Sequence, residues 1–264
     1  MNVDRVATAR CALFVPGNRP DRFAKAAAAG ADMVVLDLED AVAPDGKVAA
    51  RGAVDSWLAD GAEAAVRINA AGTAWHEDDL ALVRRHGCPV MVPKAEDPAL
   101  LRGIPGPVIA LLETAEGIES ARSVCEAPSV VRAAFGSVDL AAQLGIHADD
   151  QLALAWSRSR IVLAAAAANI APPLDGVTVS LVDPALLAAD IDYARRLGFT
   201  GKLCIHPRQL DATRVGFSPP AAELEWARRV LDAAAAGDVT VVDGRMVDKP
   251  VLDRARRLLA VEGS

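Results

Sequence analysis

Eight short apolar runs, separated by longer stretches bearing Ala, Leu and Arg, punctuate this chain: Ala12 to Val15, Met33 to Leu38, Ala65 to Ile68, Val90 to Pro93, Val108 to Leu112, Ala133 to Phe135, Gly176 to Val179, and Lys202 to Ile205. Runs of this length and branching read as buried strands and the intervening stretches as helices, so the alternation predicts β-α units around a parallel sheet. Several runs end directly in polar clusters: Gly17-Asn18-Arg19, Asp37 to Asp40, Asn69, Lys94-Ala95-Glu96, Glu113-Thr114, Ser137 to Asp139 and His206-Pro207. Polar residues repeated at the carboxyl ends of strands suit a closed barrel, whose active site is built from loops on that face. An open doubly wound sheet shares the alternation but more often carries a glycine-rich phosphate loop after its first strand, and no G-x-G-x-x-G occurs here. The expected fold is therefore α/β, a (β/α)₈ TIM barrel over residues 1–215.

Residues 216–264 break the pattern and are expected to form a C-terminal helical and hairpin extension. Pro219 and Pro220 open an Ala-rich helix to about Ala236, Val239 to Val242 reads as a short strand, Asp243-Gly244 as a turn, and a last helix starts near Pro250. This extension either caps its own barrel or reaches a neighbouring subunit.

Composition narrows the partners. Of 264 residues, 52% are hydrophobic but only 4% aromatic, so the core must be filled by small aliphatic side chains, as barrel interiors are. A formal charge of −7 argues against nucleic acid, whose binders cluster Lys and Arg. Cys11, Cys88, Cys125 and Cys204 stand far apart, with no C-x-x-C pair, and read as buried thiols in a reducing compartment. The run Ile161 to Ala168 falls far short of the ~20 residues needed to cross a bilayer, so a cytoplasmic protein without membrane contact is expected.

Glu113 and Asp139 each follow a strand, and two carboxylates on adjacent strand ends make the hard-oxygen environment that Mg²⁺ prefers. The alternative is that each caps the helix behind it. Arg67 ends a strand where its guanidinium can fork onto a carboxylate or stabilise an enolate oxygen, or simply pair with Glu39 or Asp40. The acids Asp37, Glu39 and Asp40 demand a nearby cation, and orienting Arg67 or Lys94 is the role expected of them. Arg19, Arg22 and Lys25 form either a local anion patch or an ordinary solvated helix face. Asp248, just ahead of a helix, is an N-cap or an acid/base group. His206 reads as a structural histidine.

The stretches LFVPGNRPDRFAKA, VVLDLEDAV, VRIN, VPKAE, LLETAEG, FGSVDLA, GKLCIHPRQ and GRMVDKPVLDRA resemble, in order and over nearly the whole chain, the citrate lyase β-subunit-like (HpcH/HpaI aldolase/citrate lyase) family, with its malyl-CoA and citramalyl-CoA lyases. The resemblance implies a homotrimeric or hexameric TIM-barrel lyase with Mg²⁺, replaceable by Mn²⁺, on Glu113 and Asp139. It implies substrate contact by Arg67 and Glu113, and a CoA or acyl-carrier thioester received near Arg19, Arg22, Lys25 and Lys94. Asp248 matches an aspartate that enters a neighbour's active site as general acid/base. The implied reaction is cleavage of a 3-hydroxyacyl-CoA such as citramalyl-CoA, malyl-CoA or citryl-CoA. An aldolase of free 2-oxo acids such as pyruvate, or a weakly active scaffold or carrier-protein-dependent subunit, are the alternatives. Many relatives carry an acid where this chain has Val138, which marks a distinct subfamily.

Overall fold

The computed structural model describes residues 1–104, 106–235 and 241–262. They divide into two compact units, Met1–Arg214 and Val215–Ser264. The first is a closed barrel of eight parallel strands in sequential order: β1 (Cys11–Pro16), β2 (Met33–Asp37), β3 (Ala65–Arg67), β4 (Val90–Val92), β5 (Val108–Leu112), β6 (Val130–Phe135), β7 (Ala171–Asp175) and β8 (Gly201–Cys204). Closure is made by β1, which pairs with β2 through Ala12↔Met33 and with β8 through Leu13↔Cys204.

Seven of the eight expected strands stand where the apolar runs lie, with no end shifted by more than three residues and the fifth matching at both ends. The seventh does not. Gly176 to Val179 was expected as a strand, whereas β7 is the preceding Ala171–Asp175, with Leu174 paired to both Ala134 and Gly201. Pro172 and Pro173 lack the N–H that a ladder needs and so mask this strand in sequence. The structure tolerates them with a register shift against β6 and a bond from Thr200 N to the Pro173 carbonyl.

Small and branched side chains fill the interior: Ala12, Met33, Val35, Ala65, Met91, Ile109, Leu111, Ala134, Leu174 and Leu203 form one buried cluster, joined by Val6 and Ala9 from the N-terminal segment. Burying each Val, Leu or Ile stabilises the fold by roughly 1.5–3 kcal/mol. The floor of the barrel is tied by Arg132, which is wholly buried and donates to the carbonyls of Val6, Ala9 and Pro172 and to Thr200 Oγ1. Arg132 interrupts the apolar pattern, so the expected run began at Ala133 whereas the strand starts at Val130.

Local sequence signals set the outer helices. His76–His86 begins with Glu77, Asp78 and Asp79, ends with Arg84, Arg85 and His86, and stops at Gly87 in the left-handed region, a charge order that complements the helix dipole. Pro184–Leu197 is capped by Asp183 at one end and by Gly198 at the other.

In the second unit, helices Ala221–Ala235 and Lys249–Glu262 pack through Ala227, Val230 and Ala255. Between them β9 (Val241–Val242) pairs antiparallel with β10 (Arg245–Met246). The turn is Asp243-Gly244, both at positive φ, as a type I′ hairpin requires. Val239 and Thr240, expected in the first of these strands, and Ala236, expected at the helix end, lie outside the described residues.

Candidate active site

A cavity of about 350 Å³ opens at the carboxyl ends of the barrel strands, lined by Asp37, Asp40, Arg67, Glu113, Ser137 and Asp139 on its polar side. Phe14, Leu111, Phe135, Val177, Leu203 and Ile205 make its apolar wall. Each polar group comes from the end of a strand or the first turn after it, the face on which barrels of this type build their sites.

Glu113 follows β5 directly and is 1% exposed. Asp139 is the third residue of the helix Ser137–Leu144, which starts after β6. Neither is an N-cap: Thr114 caps the helix after Glu113, through Gly117 N, and Gly136 occupies the cap position before Ser137. Their side chains instead line one cavity together. Burial first, then Asp139 and the charge of Glu39, push the Glu113 carboxyl up to about 9, against the opposing pull of Arg67. Glu113 is seated by two contacts. Its Oε1 accepts from Lys94 N at 2.9 Å, and its β-carbon fits against Gly136 so closely that a Cβ there would stand 2.2 Å away.

Opposite this pair, Arg67 donates through Nε and Nη2 to the two oxygens of Asp37, at 2.8 and 2.6 Å. Its guanidinium lies 4.9 Å over the Phe14 ring, and Nη1 stands 3.1 Å from Glu39 Oε2, a buried oxygen that otherwise has no hydrogen-bond partner among the described residues. Burial disfavours the Arg67 charge, but the hydrogen bonds and charge of Asp37, with Glu39 and Glu113, outweigh it and raise its pKa. Burial raises the Glu39 carboxyl, partly offset by Arg67 and Lys94. Lys47 fixes the loop carrying these acids by donating to the carbonyls of Leu38 and Glu39.

The other expected residues stand as follows. Lys94 Nζ pairs with Glu39 Oε1 at 3.0 Å. Asp40 lines the cavity. After β1, Arg19 precedes the short helix Pro20–Arg22 and forks onto Asp21, Arg22 ends that helix, and Lys25 lies on Phe23–Ala28. Asp248 belongs to the second unit, where its Oδ1 accepts from Val251 N at the start of the last helix. His206 caps a 3₁₀ turn with its ring nitrogen.

One charged group was not foreseen. Asp175, at the end of β7, is buried between Arg158 Nε (2.8 Å) and Lys202 Nζ (3.1 Å), and Arg158 stacks on Phe135 of the cavity wall. Burial opposes the Asp175 charge, but the two cations overcome it and hold the carboxyl below its usual range. A lysine in the second position of a fully buried strand was the signal available in sequence.

The residues fit a hard divalent cation. Both donors are carboxylates lining one cavity, and burial together with the neighbouring acids raises the Glu113 carboxyl, a cost that a cation beside it would offset. Among the described residues no cluster of three or more His, Cys, Asp or Glu is arranged as a metal site, so two protein ligands would leave the other positions to water and substrate, as Mg²⁺ commonly requires.

Comparison with known proteins agrees with this geometry. Residues 10–106 and 103–207 match the HpcH/HpaI aldolase/citrate lyase family. The chain belongs to this family. Among its members, a citrate lyase subunit beta-like protein of Deinococcus radiodurans is 39% identical over 279 residues, covering 97% of this chain and 98% of the relative. A (3S)-malyl-CoA thioesterase of Cereibacter sphaeroides is 34% identical, over 95% of this chain and 93% of the relative. The crystal structure of CitE from Mycobacterium tuberculosis in complex with magnesium, acetoacetate and coenzyme A superposes with a TM-score of 0.85 at 38% identity, covering 98% of this chain and 100% of the other. The HpcH/HpaI barrel here therefore carries its acid pair and arginine in a fold shared with a magnesium-binding and coenzyme A-binding relative.

Proposed function

We propose that this HpcH/HpaI family member is a Mg²⁺-dependent carbon–carbon lyase that cleaves a 3-hydroxyacyl-CoA thioester such as citramalyl-CoA, malyl-CoA or citryl-CoA. The observation that carries the reading is the meeting of Glu113 and Asp139 in one cavity, opposite an arginine held in place by two acids. Glu113 and Asp139 are the residues that would hold the cation, and the cation supplies Lewis-acid stabilisation of negative charge on substrate oxygen.

In the cleavage, the hydroxyl gives up its proton to water and becomes a carbonyl, the bond between the carbinol carbon and the thioester α-carbon breaks, and its electron pair is left as the thioester enolate. Arg67 faces that enolate oxygen with a charge that Asp37 fixes in direction, so no reorganisation is needed as charge develops. A proton must then reach the α-carbon. Asp248 is assigned this step, delivered by the 216–264 extension of an adjacent subunit in a homotrimer or hexamer. Arg19, Arg22 and Lys25, on the rim after β1, are assigned the CoA phosphates. Asp40 supports the site from its edge.

Asp139→Ala is expected to abolish cleavage of the three thioesters in Mg²⁺ buffer while leaving the fold intact by circular dichroism. Full turnover by this variant, or by wild type in EDTA, would contradict the scheme. Mixing Asp248→Ala with Asp139→Ala protomers should restore part of the activity, since one composite site per mixed interface is then complete; verified mixed oligomers that stay inactive would remove Asp248 from the mechanism.

A further inference from the structure

Lys94 stands in the left-handed region, with φ of 48°, a conformation that glycine or asparagine adopts more easily than lysine. It follows β4 and Pro93, and two contacts leave it in different directions. Its main-chain N–H donates to Glu113 Oε1 at 2.9 Å, and its ammonium donates to Glu39 Oε1 at 3.0 Å. Glu39 in turn presents Oε2 to Arg67 Nη1. A position whose backbone suits glycine thus carries a long cation, and the ion pair with a buried acid is what the side chain gains there.

We propose that Lys94 is a positioning residue for both halves of the site: its ammonium, anchored on Glu39, holds the main chain at positive φ so that its N–H aims at Glu113, and the same anchor keeps Glu39 from drawing Arg67 off Asp37. This rests on the metal reading above, because Glu113 is the carboxylate being aimed. It departs from a role in binding CoA phosphate, in which the ammonium would reach outward.

The two roles separate in metal binding without substrate. Lys94→Ala removes the anchor and leaves a residue with a Cβ that relaxes to negative φ, so the N–H swings away from Glu113. Lys94→Gly also removes the anchor, but positive φ costs glycine nothing, so the N–H stays. Mn²⁺ is titrated into each purified protein, with the unbound ion read by electron paramagnetic resonance. The expected order is wild type and Lys94→Gly within about threefold of each other, and Lys94→Ala weaker by about tenfold, the equivalent of one hydrogen bond to a charged group. Lys94→Arg, which keeps a cation for Glu39, should bind as wild type does. Lys94→Asn, also at ease with positive φ, repeats the glycine measurement should Lys94→Gly melt early. Equal Mn²⁺ affinity for the alanine and glycine variants overturns the proposal while leaving the metal site standing. A wild-type protein that binds no Mn²⁺ at millimolar concentration overturns the metal reading and this inference with it.

Discussion

Gly136→Ala should disable the site through a single methyl group. The residue has φ of −94° and ψ of 76°, so alanine meets no forbidden backbone region, and the whole effect is contact. The added carbon would lie 2.2 Å from Glu113 Cβ, 2.7 Å from its Oε2 and 3.3 Å from its Cα. Carbon atoms pack at about 3.5 Å or more, so the Glu113 Cβ must retreat by about 1.3 Å. Because the nearest atom is the β-carbon, next to the main chain, a rotamer change cannot relieve the clash and the end of β5 has to shift. Overpacking of this kind costs roughly 1–3 kcal/mol, which in a chain of this length lowers Tm by about 2–12 °C. Function is hit harder, since misplacing a reacting group by about 1 Å costs on the order of 10²-fold. Mn²⁺ titration, steady-state cleavage and a thermal melt on the same preparation measure all three. Gly52→Ala is the control, because a Cβ there meets nothing within 4 Å and helix propensity favours alanine. If Gly136→Ala keeps Mn²⁺ affinity and turnover within about threefold of wild type, the reasoning that Glu113 is seated by this contact is refuted.

Two further outcomes follow from charge and burial. Glu113 titrates near 9 in the metal-free protein against 4.5 when exposed, so stability falls as pH rises between those values, where the unfolded chain has released a proton the folded one retains. In the proposed scheme Mg²⁺ held by Glu113 would displace that proton, so calorimetric affinity should rise by up to about tenfold per pH unit from pH 6.5 to 8.5; a flat profile would show that no proton leaves. Burial pushes Cys11 and Cys88 to about 11 and Cys125 and Cys204 to about 12, so none should react with a disulfide reagent at pH 8 until denaturant exposes them. Rapid labelling of a thiol in the folded protein would count against this packing.

The barrel was legible because seven of its strands coincide with or contain short apolar runs and because polar residues recur at the strand ends, which is what a closed parallel sheet with a working rim demands. Glu113, Asp139 and Arg67 follow or end strands in the sequence, and the fold brings all three to one cavity. What the sequence hid were groups that violate the pattern. Pro172 and Pro173 disguised β7, since strands avoid residues without an N–H, and the run after them, Gly176 to Val179, carried the apolar look instead. Arg132, in the middle of β6, interrupts the apolar run in sequence, and only the fold reveals its four acceptors. Asp175, Arg158 and Lys202 come from three separated segments, and only the folded chain shows that both cations pair with the one carboxylate. The anchoring of Lys94 was equally hidden, because positive φ on a lysine leaves no trace in composition or periodicity.

The buried guanidinium of Arg132 also bears on when this molecule can be completed. Its acceptors reach from Val6 to Thr200, so the underside stays unfinished on a nascent polypeptide until about three quarters of the message has been translated. The earliest and latest strands, β1 and β8, are zipped together over that same span. Assembly is therefore bound to wait for late-arriving segments, and a product interrupted before Thr200 would leave a cation stranded at the base of an open sheet.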